Sequence, residues 1–225
     1  MLRAAIVIAG KDLRLSLAGA QGLVQTVLLG LLLIFIMSLS REPGEMSPPL
    51  AAAAVFWLAT AFGQVLVFNF LYGLEEAEGA RLGLLLAPCP AQAVWLGKAL
   101  AGWVLLFCCQ MVFAPAAVAF LGQTVRGSLV AGLGVVAAVD WGLCALGSLL
   151  GALSVGRSSR ESLLTVILFP LLVPVLLAGI RLLETVLSGR GAEAVSAWAG
   201  TVGAFDAVFT AAALVLFPFL YSGEE

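Results

Sequence analysis

The residues with chemistry to offer are few, and the densest group lies in one stretch, Glu75 to Leu100. Three carboxylates, Glu75, Glu76 and Glu78, stand beside Gly79 and Arg81. A short apolar run, Leu82, Leu84, Leu85 and Leu86, follows, then Pro88-Cys89-Pro90, then Gly97-Lys98. Apolar runs flank this stretch on both sides, Leu50 to Leu74 and Val94 to Leu121. A segment this polar between two such runs belongs in water at a membrane surface. Two uses are open to it: a solvated connection between spans, or a docking element that another protein grips. Leu82, Leu85 and Leu86 lie at spacings of three and four, which puts them on one helix face. Pro88 would then stop that helix and turn the chain into the next span.

Enzymatic readings find little support. Gly97-Lys98 lacks the earlier Gly and the following Ser or Thr of a phosphate-binding loop, so no nucleotide site is expected on this chain. Glu75-Glu76 with Arg81 is similar to the intramembrane prenyl-protease signature, but the Arg is one residue too far along and that class needs histidines. The chain has none. Haem or zinc ligation by imidazole, a Ser-His triad and a His proton relay are therefore excluded for this chain alone. The four cysteines, Cys89, Cys108, Cys109 and Cys144, form no CxxC pair and suggest neither a disulfide framework nor a metal site. No catalytic residue, cofactor ligand or metal ligand is expected.

The elements that must position this stretch are membrane spans. The 225 residues are 62% hydrophobic and 11% charged, with mean hydropathy +1.13. Soluble domains carry roughly 25% charge, whereas runs of about 20 apolar residues cross a hydrocarbon core of about 30 Å. The expected fold is an all-α membrane protein with six transmembrane helices, built as one permease domain over residues 1–225. Residues 1–19 read as a basic amphipathic interfacial helix, with Leu2, Ile6, Ala9, Leu13 and Leu17 on one face and Arg3, Lys11 and Arg14 opposite. The spans are expected at about 22–39, 50–74, 94–121, 128–155, 162–182 and 204–221. Net charge of −2 and the lack of a basic cluster exclude a nucleic-acid surface.

Within the spans, Asp140 falls near the middle of the fourth. An ionisable group at that depth is either a tolerated interface group or a working one. Gly147 and Gly151 make a GxxxG that allows close helix packing. Pro170 and Pro174 leave carbonyls without donors and predict a kink or break in the fifth span. Leu183 to Gly203 reads as a short surface or re-entrant helix, which places Asp206 in the first turn of the last span, at the positive end of the helix dipole. An even number of spans puts both termini on one side. With that side inside, seven Lys/Arg are cytoplasmic against four outside, as the positive-inside bias requires.

The acidic turn, Leu run, Pro and Gly-Lys together resemble the coupling segment of type-2 ABC exporter permeases. Over nearly the whole length the chain resembles the CcmB family, the haem-exporter-B permeases of cytochrome c maturation. The matching pieces are Lys11-Asp12-Leu13-Arg14, Glu78-Gly79, Leu82 to Pro88, Leu96 to Leu100, Leu168 to Ala178, and Ala204 to Val208. Pro88-Cys89-Pro90 departs from the more usual Pro followed by small or polar residues, and Asp140 belongs to none of the matched pieces. The resemblance implies a permease homodimer in the bacterial inner membrane, both termini cytoplasmic. It implies the ATPase subunit CcmA as a partner, with CcmC, CcmD and the haem chaperone CcmE. ATP would bind the partner subunit, and haem would be handled by the complex rather than held here. It also implies that Glu75, Glu76, Glu78, Gly79, Arg81, Leu82, Leu85, Leu86 and Pro88 couple the permease to the ATPase. Two other functions remain open: a type-2 exporter permease for a lipid, glycan or drug, and a membrane scaffold that moves nothing.

Overall fold

A computed structural model describes residues 1–42, 46–77, 79, 83–84, 86–154, 161–189 and 195–222, with backbone alone for 21, 76–77, 153–154, 161–168 and 222. Among these residues the chain is helical without strands. The helices are α1 (Leu2–Gly19), α2 (Gln21–Leu39), α3 (Pro49–Ala77), α4 (Ala91–Leu121), α5 (Leu129–Ser154), α6 (Glu161–Ser188) and α7 (Val195–Ser222). The six from α2 to α7 are each long and apolar enough to cross a membrane. Alternating directions bring α1, the C-terminal ends of α3 and α5, and the N-terminal end of α4 to one end of the bundle. A hydrocarbon environment dictates this architecture, because helices satisfy their own backbone hydrogen bonds.

The centre of the bundle is α3, α4 and α5, with α2 on one flank and α6 and α7 on the other. Small residues on α5 let α3 approach it. A side chain added at Gly147 would strike Phe68 and Gln64, and one at Gly151 would strike Tyr72, so the GxxxG receives two aromatic knobs one turn apart. Trp and Tyr polar atoms reach α5 carbonyls from neighbouring helices: Trp95 Nε1 donates to Ala145 O at 3.2 Å, Trp103 Nε1 to Ala137 O at 3.0 Å and Tyr72 Oη to Ser148 O at 2.7 Å. In a dry interior such donors must be partnered.

The far end is tied by loop contacts. Arg41 donates to the terminal carbonyls of α4, Phe120 O at 2.6 Å and Leu121 O at 3.4 Å, complementing the negative end of that helix. Gly122 caps α4 in the left-handed conformation, φ 64°. Gly127 N donates to Val186 O at 2.8 Å, which pins the α4–α5 turn against α6.

Several expectations need correction. The stretch after residue 182 is not a separate surface helix: α6 continues to Ser188 and α7 begins at Val195. Trp198 and Val202 pack on the core there, and the last helix starts about two and a half turns earlier, although Gly200 and Gly203 made the stretch read as breaker-rich. Asp206 accordingly lies well inside α7 rather than at its N-terminus. Pro170 and Pro174 fall within α6 without breaking it, and both lie on its exposed side. The leucine face expected on α1 stays open, and a different face packs on the bundle. Ala5, Ile8, Ala9, Asp12 and Ser16 turn inward, while Leu2, Ile6, Val7 and Leu17 are exposed. Small residues and one charge pack because α4 comes too close for a leucine face.

Candidate functional site: a buried charge box at the root of the acidic segment

Four charged residues from three helices meet where α3 ends and α4 begins. Lys98 Nζ lies 2.8 Å from Glu75 Oε1 and 3.3 Å from Asp12 Oδ2. Its third hydrogen goes to Leu71 O at 3.0 Å, and the ammonium stands 4.5 Å from the centre of the Tyr72 ring. Lys11 Nζ closes the box at 2.9 Å from Asp12 Oδ1 and 3.2 Å from Glu75 Oε1. Two cations and two anions balance. The Lys98 side chain is 0% exposed, while Asp12 and Glu75 are 4% exposed. Lys11, 37% exposed, is the side that meets water.

Local sequence explains how each helix delivers its charge. On α1, Asp12 follows Ala5, Ile8 and Ala9 at spacings of three and four, so it shares their buried stripe, and Lys11 flanks it. On α3, Glu75 stands one turn beyond Leu71, whose carbonyl Lys98 also takes. On α4, Gly97 makes the approach of α1 possible: an added Cβ would lie 2.8 Å from Ile8 Cβ and 2.9 Å from Ala5 O. Lys98 then reaches all three helices. Burial alone would lower the Lys11 ammonium, but Asp12 and Glu75 together outweigh it and hold Lys11 above the ordinary 10.5. One buried atom, Glu75 Oε2, has no hydrogen-bond partner among the described residues.

Comparison with known proteins matches the CcmB protein family model over residues 3–223. The chain belongs to the CcmB family. Heme exporter protein B of Rhodobacter capsulatus is 28% identical over 210 residues, covering 93% of this chain and 92% of that protein. Heme exporter protein B of Pseudomonas aeruginosa is 26% identical over 188 residues, covering 84% of this chain and 81% of the relative. Together with its apolar helices, this makes the CcmB-family chain a multi-pass membrane protein. Lys11-Asp12 and Lys98, which lie in stretches singled out from the sequence, build the box with Glu75.

The remaining residues of interest divide into several places. Glu75 is not the solvated carboxylate its neighbours suggested; it is enclosed because two lysines neutralise it. Gly79 is exposed at φ 66°, a turn that glycine favours. Leu86, 84% exposed, and Pro88 project from the segment, and Gly83, Leu84 and Leu86 are helical. Glu78, Arg81, Leu82 and Leu85 lie outside the described residues, as does the side chain of Glu76.

In this CcmB-family chain Asp140 is far from the box, fully buried at the contact of α3, α4 and α5. Gln110 Nε2 donates to Asp140 Oδ1 at 2.8 Å and approaches Thr60 Oγ1 at 3.3 Å. Asp140 Oδ2 and Gln110 Oε1 have no partner among the described residues. Gln110 also lines an apolar cavity of about 150 Å³ with Phe56, Met111, Leu133 and Leu183. Asp206, partly buried, sits against Gly142 of α5 and does not join Asp140's hydrogen bonds. No group of three or more potential metal-ligating residues occurs among the described residues.

Sequence reasoning missed Lys11, Asp12 and Lys98 as a unit. The available signal was an acid in the inward stripe of α1 and a lysine eight residues into an apolar helix. Each needs an opposite charge at the same depth.

Proposed function

We propose that this chain is the membrane permease subunit of an ABC transporter serving cytochrome c maturation, with haem as the cargo of the complex. The single observation that carries the reading is the family match over residues 3–223. ATP is bound and hydrolysed by a separate subunit, CcmA. The permease forms a homodimer in the bacterial inner membrane with both termini cytoplasmic, and CcmC, CcmD and the haem chaperone CcmE complete the assembly. ATP hydrolysis is linked to release of the haem-loaded chaperone. The segment from Glu75 to Pro88 is the docking element for the ATPase. Its exposed Leu86 and the Leu82–Leu85 pair of the sequence pattern supply apolar contacts, while Glu76, Glu78 and Arg81 keep it out of the bilayer.

The test is co-purification. Leu86→Asp, and Leu85→Asp beside it, should abolish recovery of the ATPase with the permease and the ATP turnover of the complex, while the permease inserts at parental levels. An unpaired charge in a protein groove costs more than the roughly 1.5–3 kcal/mol a buried leucine contributes. Met46→Asp, an exposed position at the opposite end, is the control and should leave ATPase binding intact. A fully bound, active ATPase on both leucine variants would sink the docking assignment. Retained ATPase binding with unaltered cytochrome c production in a deletion strain would point to a different exported substrate.

A further inference from the structure

We infer that α1 is a moving part of the coupling path, tied by Lys11 and Asp12 to both roots of the acidic segment. The inference rests on the docking role proposed for that segment. Glu75 stands where the segment leaves α3, and Lys98 stands about two turns into α4, after the segment re-enters it. A force applied between them reaches both residues. Glu75 and Lys98 are bonded to each other at 2.8 Å, so the two roots move together. Asp12 and Lys11 then fasten α1 to the pair, one through Lys98 at 3.3 Å and the other through Glu75 at 3.2 Å.

Apart from the box, α1 is held chiefly by its apolar packing on α4. Its junction with α2 is a single left-handed residue, Ala20 at φ 48°, which breaks the helix and provides a pivot. Its outer face, Leu2, Ile6, Val7 and Leu17, is left exposed by the described residues. The inner face rests on α4 at Gly97, where Ile8 and Ala5 O fit against a bare backbone. A fit of that kind resists compression but does not pull. The charges pull, because separating them would strand ionised groups in a dry interior. Lys11 and Asp12 therefore act as positioning residues: they touch no ATP or cargo, but decide whether α1 follows the segment.

The box offers a clean way to cut this tie. Changing Lys11→Gln together with Asp12→Asn removes one positive and one negative charge from α1. The Glu75–Lys98 pair between α3 and α4 stays in place and stays neutral. The experiment uses the complete permease–ATPase complex in lipid nanodiscs, with the native cysteines replaced and spin labels on introduced cysteines. One label pair, at Val7 and Phe219, reports α1 against α7; a second, at Leu86 and Phe219, reports the segment. All three positions are exposed. Distances are compared without nucleotide and with ATP and vanadate.

In the parent both pairs should change on trapping nucleotide. In the double variant the Leu86 pair should still change, and the Val7 pair should lose its response. Lys11→Arg with Asp12→Glu, which keeps the charges, should restore it. A Val7 response that persists in the double variant overturns the inference, and so does a static Val7 pair in a parent whose Leu86 pair moves. A static Leu86 pair in the parent, with the ATPase bound and turning over, removes the docking role itself and this inference with it. Should the double variant fail to insert, Lys11→Ala with Asp12→Ala, which cuts the same two ties, carries the same two outcomes.

Discussion

Replacing Lys98 by methionine keeps the length of the side chain and removes the charge at the centre of the box. Three acceptors lose a donor at once: Glu75 Oε1 at 2.8 Å, Asp12 Oδ2 at 3.3 Å and Leu71 O at 3.0 Å. Lys11 remains, but one cation then faces two carboxylates that are each 4% exposed. Breaking a buried pair from one side costs about 3–5 kcal/mol, because the abandoned charge stays dry. For a chain of this size that is a fall in melting temperature of about 6–20 °C. Thermal unfolding in nanodiscs, followed by tryptophan fluorescence, measures it. The decisive comparison is Glu75→Gln added to Lys98→Met, which leaves Lys11 facing only Asp12 and restores neutrality. That double variant should be more stable than Lys98→Met alone, with a non-additive term of about 0.5–3 kcal/mol. Lys11→Met leaves the same imbalance but at the side of the box that water reaches, so it should cost less than Lys98→Met. If Lys98→Met falls by less than about 1 kcal/mol, as an exposed pair would, or if the second substitution makes matters worse, the box does not hold the helices together.

Gly97→Ala places a methyl 2.8 Å from Ile8 Cβ and 2.9 Å from Ala5 O. A backbone oxygen cannot swing aside, so the melting temperature should drop by the equivalent of about 1–3 kcal/mol, and an unchanged melt would mean that α1 does not seat there. Asp140→Asn should leave assembly and cytochrome c production close to the parent, since asparagine keeps the acceptor for Gln110. Gln110→Leu removes that donor and should destabilise by about 1–3 kcal/mol; lost maturation in an Asp140→Asn complex that assembles normally would instead make Asp140 a working residue. The Lys11 ammonium is held above 10.5, so its stabilising share is complete below that value and disappears as pH rises through the raised one. Melting curves of Lys11→Gln and the parent should therefore run parallel through neutral pH and converge only above 10.5; convergence near neutrality would contradict the assignment.

The spans were readable because a hydrocarbon core selects on one property, a sustained apolar length, and α2, α3, α4 and α5 satisfy it without interruption. The start of α7 was not readable for the same reason. Val195 to Gly203 mixes Ser, Gly and Thr with Trp198 and Val202, and only their packing against the core decides that the helix begins there. The acidic segment was conspicuous, yet the partner of Glu75 was not. Lys11 lies 64 residues from it in sequence, and Lys98 lies 86 residues from Asp12. Residue types and spacing set which face of each helix a charge occupies, but not which distant helix meets that face. The clue that survives in sequence is cost: Asp12 sits inside a small-residue stripe and Lys98 within an apolar helix, and neither location tolerates a lone charge.

That cost also explains why a box would suit the root of the docking segment proposed above. Apolar contacts between α1 and α4 are non-directional and are replaced by lipid contacts at little loss, since lipid tails are as apolar as leucine. Four interlocked charges have no such substitute in the bilayer. Moving α1 away from Glu75 and Lys98 by even a few ångströms would leave each ion short of its partner at 2.8–3.3 Å, so the energy rises steeply in every direction. A contact with that profile behaves as a rivet, whereas Gly97 and the left-handed Ala20 behave as a seat and a pivot. On the inference above, motion of the acidic segment would pass to α1 whole rather than dissipate in sliding between apolar faces.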